Sequence, residues 1–266
     1  LLIYVTIHVN NMLRYFHSLT LQTGRIFMPT ISLCMIVKNE EAVLERCLES
    51  IADLMDEIII VDTGSTDHTK EIAARYTSKI YDYKWTNDFS AARNFSFSKA
   101  TMEYIYTADA DEILDEENHA RFLRLKNFLL PEIEIVQMKY VTVSEFDTVL
   151  NAQKEYRPKL FKRLRTFTWI DPIHETVRLQ PVIFDSDVEI LHKPQSLHSK
   201  RDFSIFIKAF EHDGQFSPKI RTMYAKELLK TGDTKDFAAA KPIFRAIFDN
   251  DASDDARKEA SCILAH

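Results

Sequence analysis

Two aspartates, Asp109 and Asp111, stand two residues apart just after the apolar run 104–108. Alternate residues of a strand point to opposite faces, but both carboxylates can approach one point where a strand frays into a turn. Carboxylate oxygens suit Mg²⁺ or Mn²⁺, which keep coordination positions open for water and phosphate oxygens. The segment 109–112, Asp-Ala-Asp-Glu, is equally typical of a solvated acidic turn, so these four residues alone do not separate a metal site from a turn.

Two other polar segments follow apolar runs earlier in the chain. Residues 37–41 (VKNEE) lead into a predicted helix, whose positive N-terminal end favours an anionic group. In residues 62–67 (DTGSTD), Asp62 is placed to accept hydrogen bonds from a ligand, a glycine relaxes the turn, and Ser65 or Thr66 is predicted to cap a helix. The same residue types also make good turns and caps, and their spacing does not separate the two interpretations.

The composition argues against several classes of protein. A formal net charge of −6 over 266 residues is unlike that of a nucleic-acid binder, whose affinity comes mainly from lysine and arginine contacts to phosphates. With four glycines and neither G-x-G-x-x-G nor G-x-x-x-x-G-K-[ST], the chain lacks the usual dinucleotide and P-loop cradles. We therefore expect neither a dehydrogenase nor a P-loop kinase.

The composition also predicts a soluble, cytoplasmic protein. A hydrophobic content of 45% with 11% aromatic residues is ordinary for a globular chain. No stretch approaches the roughly 18 apolar residues that a membrane span needs. The three cysteines, Cys34, Cys47 and Cys262, lack metal-ligand spacing and are interpreted as reduced thiols of an intracellular protein.

The start of the chain is unusual, because it begins at Leu1 while Met28 stands just before the first convincing strand. We interpret residues 1–28 as an upstream or non-native extension, with Met28 as the biological start. The alternative is an amphipathic helix with Leu13 and Phe16 on its apolar side, although its caps are poor.

From residue 30 the pattern alternates between strands and helices. The apolar runs 31–37, 57–61, 79–81 and 104–108 predict strands, and the segments 40–52, 65–76 and 88–100 predict helices. This order requires crossover connections, so the first two strands should be parallel neighbours covered by helices. Three βα repeats predict an open, doubly wound α/β sheet whose ligands bind beyond the carboxyl ends of the strands.

The second half of the chain has a different pattern. After a helix at 116–129, predicted strands follow at 133–143, 156–161, 177–179 and 188–191, which indicates a mixed sheet. Predicted helices at 203–212, 219–229, 237–248 and 254–264 repeat as helix pairs with a period close to the ~34 residues of tetratricopeptide arrays. We predict one domain over 29–197 and a helical-repeat region over 198–266, which is interpreted as a short or truncated array.

Four motifs resemble, in order, those of family 2 glycosyltransferases: ISLCMIVKNEE (31–41), IVDTGSTD (60–67), FSAARN (89–94) and DADE (109–112). More narrowly, the chain resembles the bacterial branch that joins a GT-A catalytic domain to C-terminal tetratricopeptide-like helices. This branch includes the sublancin-type peptide glycosyltransferases. The resemblance implies a GT-A-type doubly wound mixed sheet followed by an all-α helical-repeat region.

The same resemblance implies a donor site for a nucleoside diphosphate sugar, which we expect to be UDP-linked. Asp62 would read the base, Arg93 would lie near the nucleotide, and Asp109 with Asp111 would hold Mn²⁺ or Mg²⁺ on the diphosphate. A divalent cation stabilises the charge that builds on a departing diphosphate without needing a proton donor. The residues implied to line the donor site are Val37, Asn39, Glu41, Asp62, Arg93, Asp109 and Ala110.

Residues 169–175 (WIDPIHE) resemble the acceptor side of this branch. Glu175 is the predicted base that takes the acceptor's proton during inverting, in-line attack, and Asp171 is the second choice. His174 is predicted to orient Glu175 or to touch the diphosphate, and it is equally typical of a packed or surface histidine. His192, after the last predicted strand, resembles a third metal ligand.

The predicted activity is metal-dependent transfer of a sugar, with inversion, to a peptide, glycan or lipid-linked acceptor, with a protein partner for the helical region. The alternative is a catalytically silent GT-A domain in a protein-interaction module, against which the intact carboxylates argue. A nucleotidyltransferase also uses paired carboxylates and Mg²⁺. It would need a Gly-rich, Arg-containing loop after the first strand, which residues 37–41 lack. The sequence does not specify the sugar or the acceptor.

Overall fold

The structure is a computed structural model that describes residues 28–142, 154–164, 169–170, 176–177, 181–193, 199–251 and 253–266. The chain divides into two compact units, residues 1–195 and residues 196–266. The described part of the first unit contains a mixed β-sheet with helices, and that of the second is helical.

Strands and helices alternate from residue 31 to residue 107, as predicted, and strands predominate in the rest of the described part of the first unit. The strands are β1 (Ile31–Val37), β2 (Glu57–Asp62), β3 (Ile80–Asp82), β4 (Tyr104–Thr107), β5 (Glu112–Ile113), β6 (Ile135–Thr142), β7 (Lys154–Lys162), β8 (Trp169–Ile170), β9 (Thr176–Val177) and β10 (Ile183–His192). The helices are α1 (Leu44–Ile51), α2 (Thr69–Ala73), α3 (Phe89–Ser98) and α4 (Glu116–Phe128), with a 3-10 turn at Ala52–Leu54.

The main sheet has the order β3-β2-β1-β4-β7-β6-β10-β5, and β8 pairs separately with β9. β1 runs parallel to both β2 and β4, and β2 runs parallel to β3. β7 is antiparallel to its neighbours β4 and β6, while β5 is antiparallel to β10. The predicted doubly wound mixed sheet is therefore confirmed, and the carboxyl ends of four parallel strands meet along one edge.

Burial explains why the first strands are continuous apolar runs. Every residue of β1 except Ile36 is buried, and every residue of β2 except Ile58 is buried. Strands covered on both faces need no polar side, so they lose the alternation of a half-exposed strand. Helix α1 contributes a buried face with helical spacing: Leu44, Cys47, Leu48 and Ile51.

Two predicted helix starts are wrong by several residues. The α-helix after β1 begins at Leu44, because residues 40–43 form turns before it. Neither Ser65 nor Thr66 caps the helix after β2, which begins at Thr69. The carboxylate of Asp67 accepts a hydrogen bond from the backbone N of Thr69 at 3.0 Å instead. Ser65 and Thr66 are engaged elsewhere, in bonds to the loop that follows β1.

A buried carboxylate links several residues by hydrogen bonds at the edge of the sheet opposite the acidic turn. Glu57, at the start of β2, accepts hydrogen bonds from the Ser32 hydroxyl and from Lys79 Nζ. The backbone N and the hydroxyl of Thr101 also donate to it, at 2.8 and 2.9 Å. Burial alone would raise the pKa of Glu57, but these hydrogen bonds outweigh it and lower the pKa to about 2.

We expect the Glu57→Gln variant to lose part of the acid sensitivity of folding. A carboxyl group whose pKa is lower in the folded state stabilises that state above its unfolded pKa of about 4.5 and loses this effect as the pH falls toward 2. The shift corresponds to about 3 kcal/mol at neutral pH. Urea unfolding between pH 7 and pH 2 should show a steeper fall for the wild type than for the variant. Parallel curves would contradict this role of Glu57.

The described part of the second unit consists of four helices: α5 (Ser199–Asp213), α6 (Pro218–Thr231), α7 (Thr234–Asn250) and α8 (Asp254–Leu264). Ser217, Asp233 and Ser253 cap the last three, each through a side-chain oxygen that accepts a backbone N–H. The predicted C-terminal all-α region is confirmed. Across the described residues, no helix combines the length and apolar character that crossing a bilayer requires.

Candidate functional site

The loops that follow β1 and β2 are bonded to each other. The backbone N of Thr63 donates to the Val37 carbonyl at 2.9 Å. Asn39 donates from its backbone N to Ser65 Oγ at 2.9 Å, and its side-chain oxygen accepts from Thr66 N at 2.8 Å. Asn39 has a positive φ of 55°, which asparagine tolerates better than most residues. The two polar segments singled out from the sequence therefore form one continuous surface.

Glu41 extends this surface by binding the turn before α2. Its carboxylate accepts a hydrogen bond from the backbone N of His68 at 3.0 Å, and its Oε2 lies 2.8 Å from His68 Nδ1. These hydrogen bonds lower the pKa of Glu41, so the side chain is a carboxylate at neutral pH. In the structure Glu41 braces a loop, and its predicted contact with the donor stays a prediction.

Asp62 ends β2 with a buried carboxylate. Its oxygens accept hydrogen bonds from the backbone N of Gly64 at 3.1 Å and of Ser65 at 3.0 Å, and Lys70 Nζ lies 3.8 Å away. Gly64 has a φ of 105°, a backbone conformation that residues with a Cβ rarely adopt. The carboxylate thus shapes the turn, and its predicted role in reading a base stays a prediction.

Arg93, on α3, joins the end of β4 to the acidic turn. Its guanidinium donates to the Thr107 hydroxyl through Nη1, while Nη2 lies 3.4 Å from Asp109 Oδ1. The side chains of Arg93 and Asp109 are 36% and 47% exposed, so both are available to a ligand at this edge. The structure therefore brings together two residues predicted to lie at the donor site, and it adds Thr107.

Asp111 lies beside His192, which ends β10 far along the chain. His192 Nε2 is 2.9 Å from Asp111 Oδ2, and both side chains are largely buried. Antiparallel pairing of β5 with β10 places His192 opposite Glu112, and Lys193 donates its backbone N to the Asp111 carbonyl at 3.0 Å. Strand pairing thus delivers two of the three predicted metal ligands to one point.

The Asp111–His192 pair suits a divalent metal. Two adjacent ligands at the ~2.1 Å bond lengths of an octahedral ion lie about 3 Å apart, close to the observed separation of 2.9 Å. Asp109 faces Arg93 instead, and within the described ranges no three His, Cys, Asp or Glu side chains form a metal-binding group. The residues fit a metal held by Asp111 and His192, with Asp109 joining it only after turning from Arg93.

The His192 ring is held by packing as well as by Asp111. It lies against Tyr140 with the ring centroids 5.1 Å apart. Its Nδ1 is buried and has no hydrogen-bond partner among the described residues. Asp111 and Tyr140 therefore fix the orientation of the imidazole that faces the turn.

A buried ion pair behind the acidic turn was not predicted from the sequence. Lys159 Nζ lies 2.6 Å from Glu112 Oε1, with the two side chains 7% and 2% exposed. Burial raises the pKa of Glu112 to about 7, although Lys159 acts in the opposite direction. One feature of the sequence indicates this ion pair: Lys159 lies among apolar residues near the end of β7. A charged side chain is rarely buried at such a position unless it is paired.

Glu175, Asp171 and His174 lie outside the described residues. The strands on either side of this segment are paired, with Ile170 opposite Thr176 in the antiparallel pair β8–β9. The roles of the three residues stay predictions.

The chain resembles known proteins in sequence. Its residues 32–190 match the sequence profile of Glycosyl transferase family 2. Over 87 residues, 33% of this chain, it is 48% identical to a TPR repeat-containing protein of Synechococcus elongatus. Over 103 residues, 38% of this chain, it is 40% identical to the SPbeta prophage-derived glycosyltransferase SunS of Bacillus subtilis.

These matches cover only part of each relative. The chain spans 22% of the Synechococcus protein and 24% of SunS. Among solved structures it is similar to glucosyl-3-phosphoglycerate synthase from Mycobacterium tuberculosis in complex with Mg²⁺ and UDP, with a TM-score of 0.45 and 16% identity. That alignment covers 71% of this chain and 81% of the other.

Proposed function

Because the chain belongs to Glycosyl transferase family 2, we propose that it transfers a sugar from a nucleoside diphosphate sugar to an acceptor. The observation that carries the proposal is the Asp111–His192 pair beside Arg93 and Asp109, at the carboxyl edge of the parallel strands. Ligands bind beyond this edge in doubly wound sheets. A metal-binding pair next to an arginine suits the charge of a diphosphate.

The donor is proposed to be UDP-linked and to lie across the loops after β1, β2 and β4. Asp62 would contact the base from the turn that it shapes, and Arg93 would approach the diphosphate from α3. The remaining donor contacts are proposed for Val37, Asn39, Glu41, Asp109 and Ala110. The bonds between the Asn39 loop and Ser65 and Thr66 support this placement, because they hold the loops after β1 and β2 as one surface.

The metal is proposed to be Mn²⁺ or Mg²⁺, held by Asp111 and His192 with Asp109. When bound, it would supply charge stabilisation for the leaving diphosphate. Arg93 now pairs with Asp109 at the same edge, and it would add a second positive charge to the diphosphate. The chain's own contribution is to hold these side chains in place before the donor arrives.

The transfer is proposed to invert the configuration at C1. Glu175 would accept the acceptor's proton as the acceptor attacks, and Asp171 is the second candidate. The pairing of Ile170 with Thr176 supports a common location for the strands that flank these residues. The acceptor is proposed to be a peptide, a glycan or a lipid-linked molecule, with a protein partner for the helical unit.

The proposal is tested by release of nucleoside diphosphate from a panel of UDP-, GDP- and dTDP-sugars, with Mn²⁺ and with a chelator. We expect release from a UDP-sugar in the presence of Mn²⁺ and its loss with the chelator. Release that continues unchanged in the chelator would contradict metal dependence. Release from a GDP- or dTDP-sugar alone would replace the proposed donor.

A further inference from the structure

Lys159 holds both ends of the acidic turn. Its Nζ lies 2.6 and 2.7 Å from the two carboxylate oxygens of Glu112, the last residue of the acidic turn (109–112). The same Nζ donates to the backbone carbonyl of Thr107, the last residue of β4 before the turn, at 3.2 Å. One buried ammonium group therefore joins the residues that bracket Asp109 and Asp111.

The strand that carries Lys159 is irregular at this residue. In the pairing of β7 with β6, Leu160 lies opposite Val136 and Pro158 lies opposite Gln137, so Lys159 is the extra residue of a β-bulge. A bulge interrupts the alternation of side chains and redirects the extra residue. At this bulge the Lys159 side chain reaches both the end of β4, at the Thr107 carbonyl, and the Glu112 carboxylate.

A series of hydrogen bonds links Lys159 to the predicted metal ligands. Thr107, whose carbonyl Lys159 binds, accepts a hydrogen bond from Arg93 through its hydroxyl, and Arg93 contacts Asp109. On the other side, Glu112 lies opposite His192 in the pairing of β5 with β10. The ammonium group is thus three bonded steps from Asp109 on one side and two from His192 on the other.

We propose that Lys159 is a positioning residue, which fixes the turn so that Asp109 and Asp111 present their carboxylates to a divalent metal. This inference rests on the proposed function, because it concerns the same metal site. A positioning role and a simple charge effect predict opposite changes in Mn²⁺ affinity when Lys159 is replaced. A cation behind the carboxylates repels Mn²⁺, so removing its charge alone would strengthen Mn²⁺ binding, whereas losing the positioned turn would weaken it.

The test compares Mn²⁺ affinity in the wild type and in Lys159→Met, by electron paramagnetic resonance of free Mn²⁺. We expect the affinity to fall about 10- to 100-fold, the usual range for residues that support metal ligands. A second variant, Lys159→Met with Glu112→Met, removes the ion pair without leaving a buried charge, and its fold should survive. It should show the same loss of Mn²⁺ affinity, because it also lacks the link to Thr107.

Lys126→Met is the matched control. Lys126 is a second buried lysine of this unit, and its Nζ bonds to the Leu54 carbonyl at 2.8 Å and to Asp56 at 2.6 Å, away from the acidic turn. This variant should lower the melting temperature and leave Mn²⁺ affinity unchanged.

Equal or tighter Mn²⁺ binding by folded Lys159→Met would overturn the positioning role and leave the proposed function standing. A wild-type protein that binds no Mn²⁺ would instead overturn the proposed metal site itself.

Discussion

Replacing Asp111 with alanine is expected to reduce metal-dependent release of nucleoside diphosphate by at least about 100-fold. The carboxylate lies 2.9 Å from His192 Nε2, so the substitution removes one of the two side chains that the structure has already brought together. A metal contributes several kcal/mol to the stabilisation of a leaving diphosphate, and each 1.4 kcal/mol is about tenfold in rate. Steady-state release from the preferred donor, with Mn²⁺ varied, measures the effect.

Asp185→Ala is a suitable control for this experiment. Asp185 lies on β10, the strand that also carries His192, but it is exposed and accepts a hydrogen bond from Gln137 Nε2 at 2.8 Å. Its removal should leave both release and the Mn²⁺ requirement unchanged. Wild-type release by Asp111→Ala, with an unaltered Mn²⁺ requirement, would show that the metal is held elsewhere.

The second large effect is expected at Glu175, where Glu175→Gln should lower the turnover number by about 10²- to 10⁴-fold, the usual contribution of a general base. Glutamine keeps the size of the side chain and removes its ability to accept a proton at neutral pH. Donor binding should be unchanged, because the proposed donor contacts lie on α3 and on the loops after β1, β2 and β4. Turnover is measured by diphosphate release, and binding by titration with the nucleotide.

Asp171→Asn distinguishes the two candidate bases. If Glu175 is the base, Asp171→Asn should retain most of the turnover. Full activity in Glu175→Gln together with loss in Asp171→Asn would move the role to Asp171. Loss of donor binding in Glu175→Gln would indicate a structural role for Glu175 instead.

The parts of the fold that depend on local pattern were predictable. β1 and β2 are unbroken apolar runs because they are covered on both faces, and the helix between them requires a parallel crossover. Asp88 caps α3 by accepting a hydrogen bond from Ala91 N at 3.0 Å, at the start predicted from the sequence. In each case the controlling interaction lies within a few residues or one repeat.

The parts that depend on distant pairing were not predictable. β5 has two residues, too few for any periodicity, and it exists because β10 provides hydrogen bonds to it. The insertion of antiparallel β7 between β4 and β6 likewise depends on partners far along the chain. The start of α2 was misplaced because Ser65 and Thr66, which resemble caps, bond to Asn39 in the neighbouring loop. The start of α1 was misplaced because residues 40–43 form turns before it.

The same distinction between local pattern and distant pairing applies to the candidate site. The sequence motifs singled out Asp109, Asp111, Arg93 and His192, and the structure places Asp111 next to His192 and Asp109 next to Arg93. A lysine among apolar residues indicates a buried pair, but the partner of Lys159 and the β-bulge that redirects it depend on strand pairing, which no local pattern reveals.

The most direct test of the account is calorimetric titration of the wild-type protein with UDP, first with Mn²⁺ and then with a chelator. If the carboxyl edge of the parallel strands is a metal-dependent nucleotide site, UDP should bind at one site per chain with Mn²⁺, and binding should weaken sharply with the chelator. Absence of binding by UDP, GDP and dTDP in both conditions would contradict the account. It would favour a catalytically silent domain joined to a helical interaction unit.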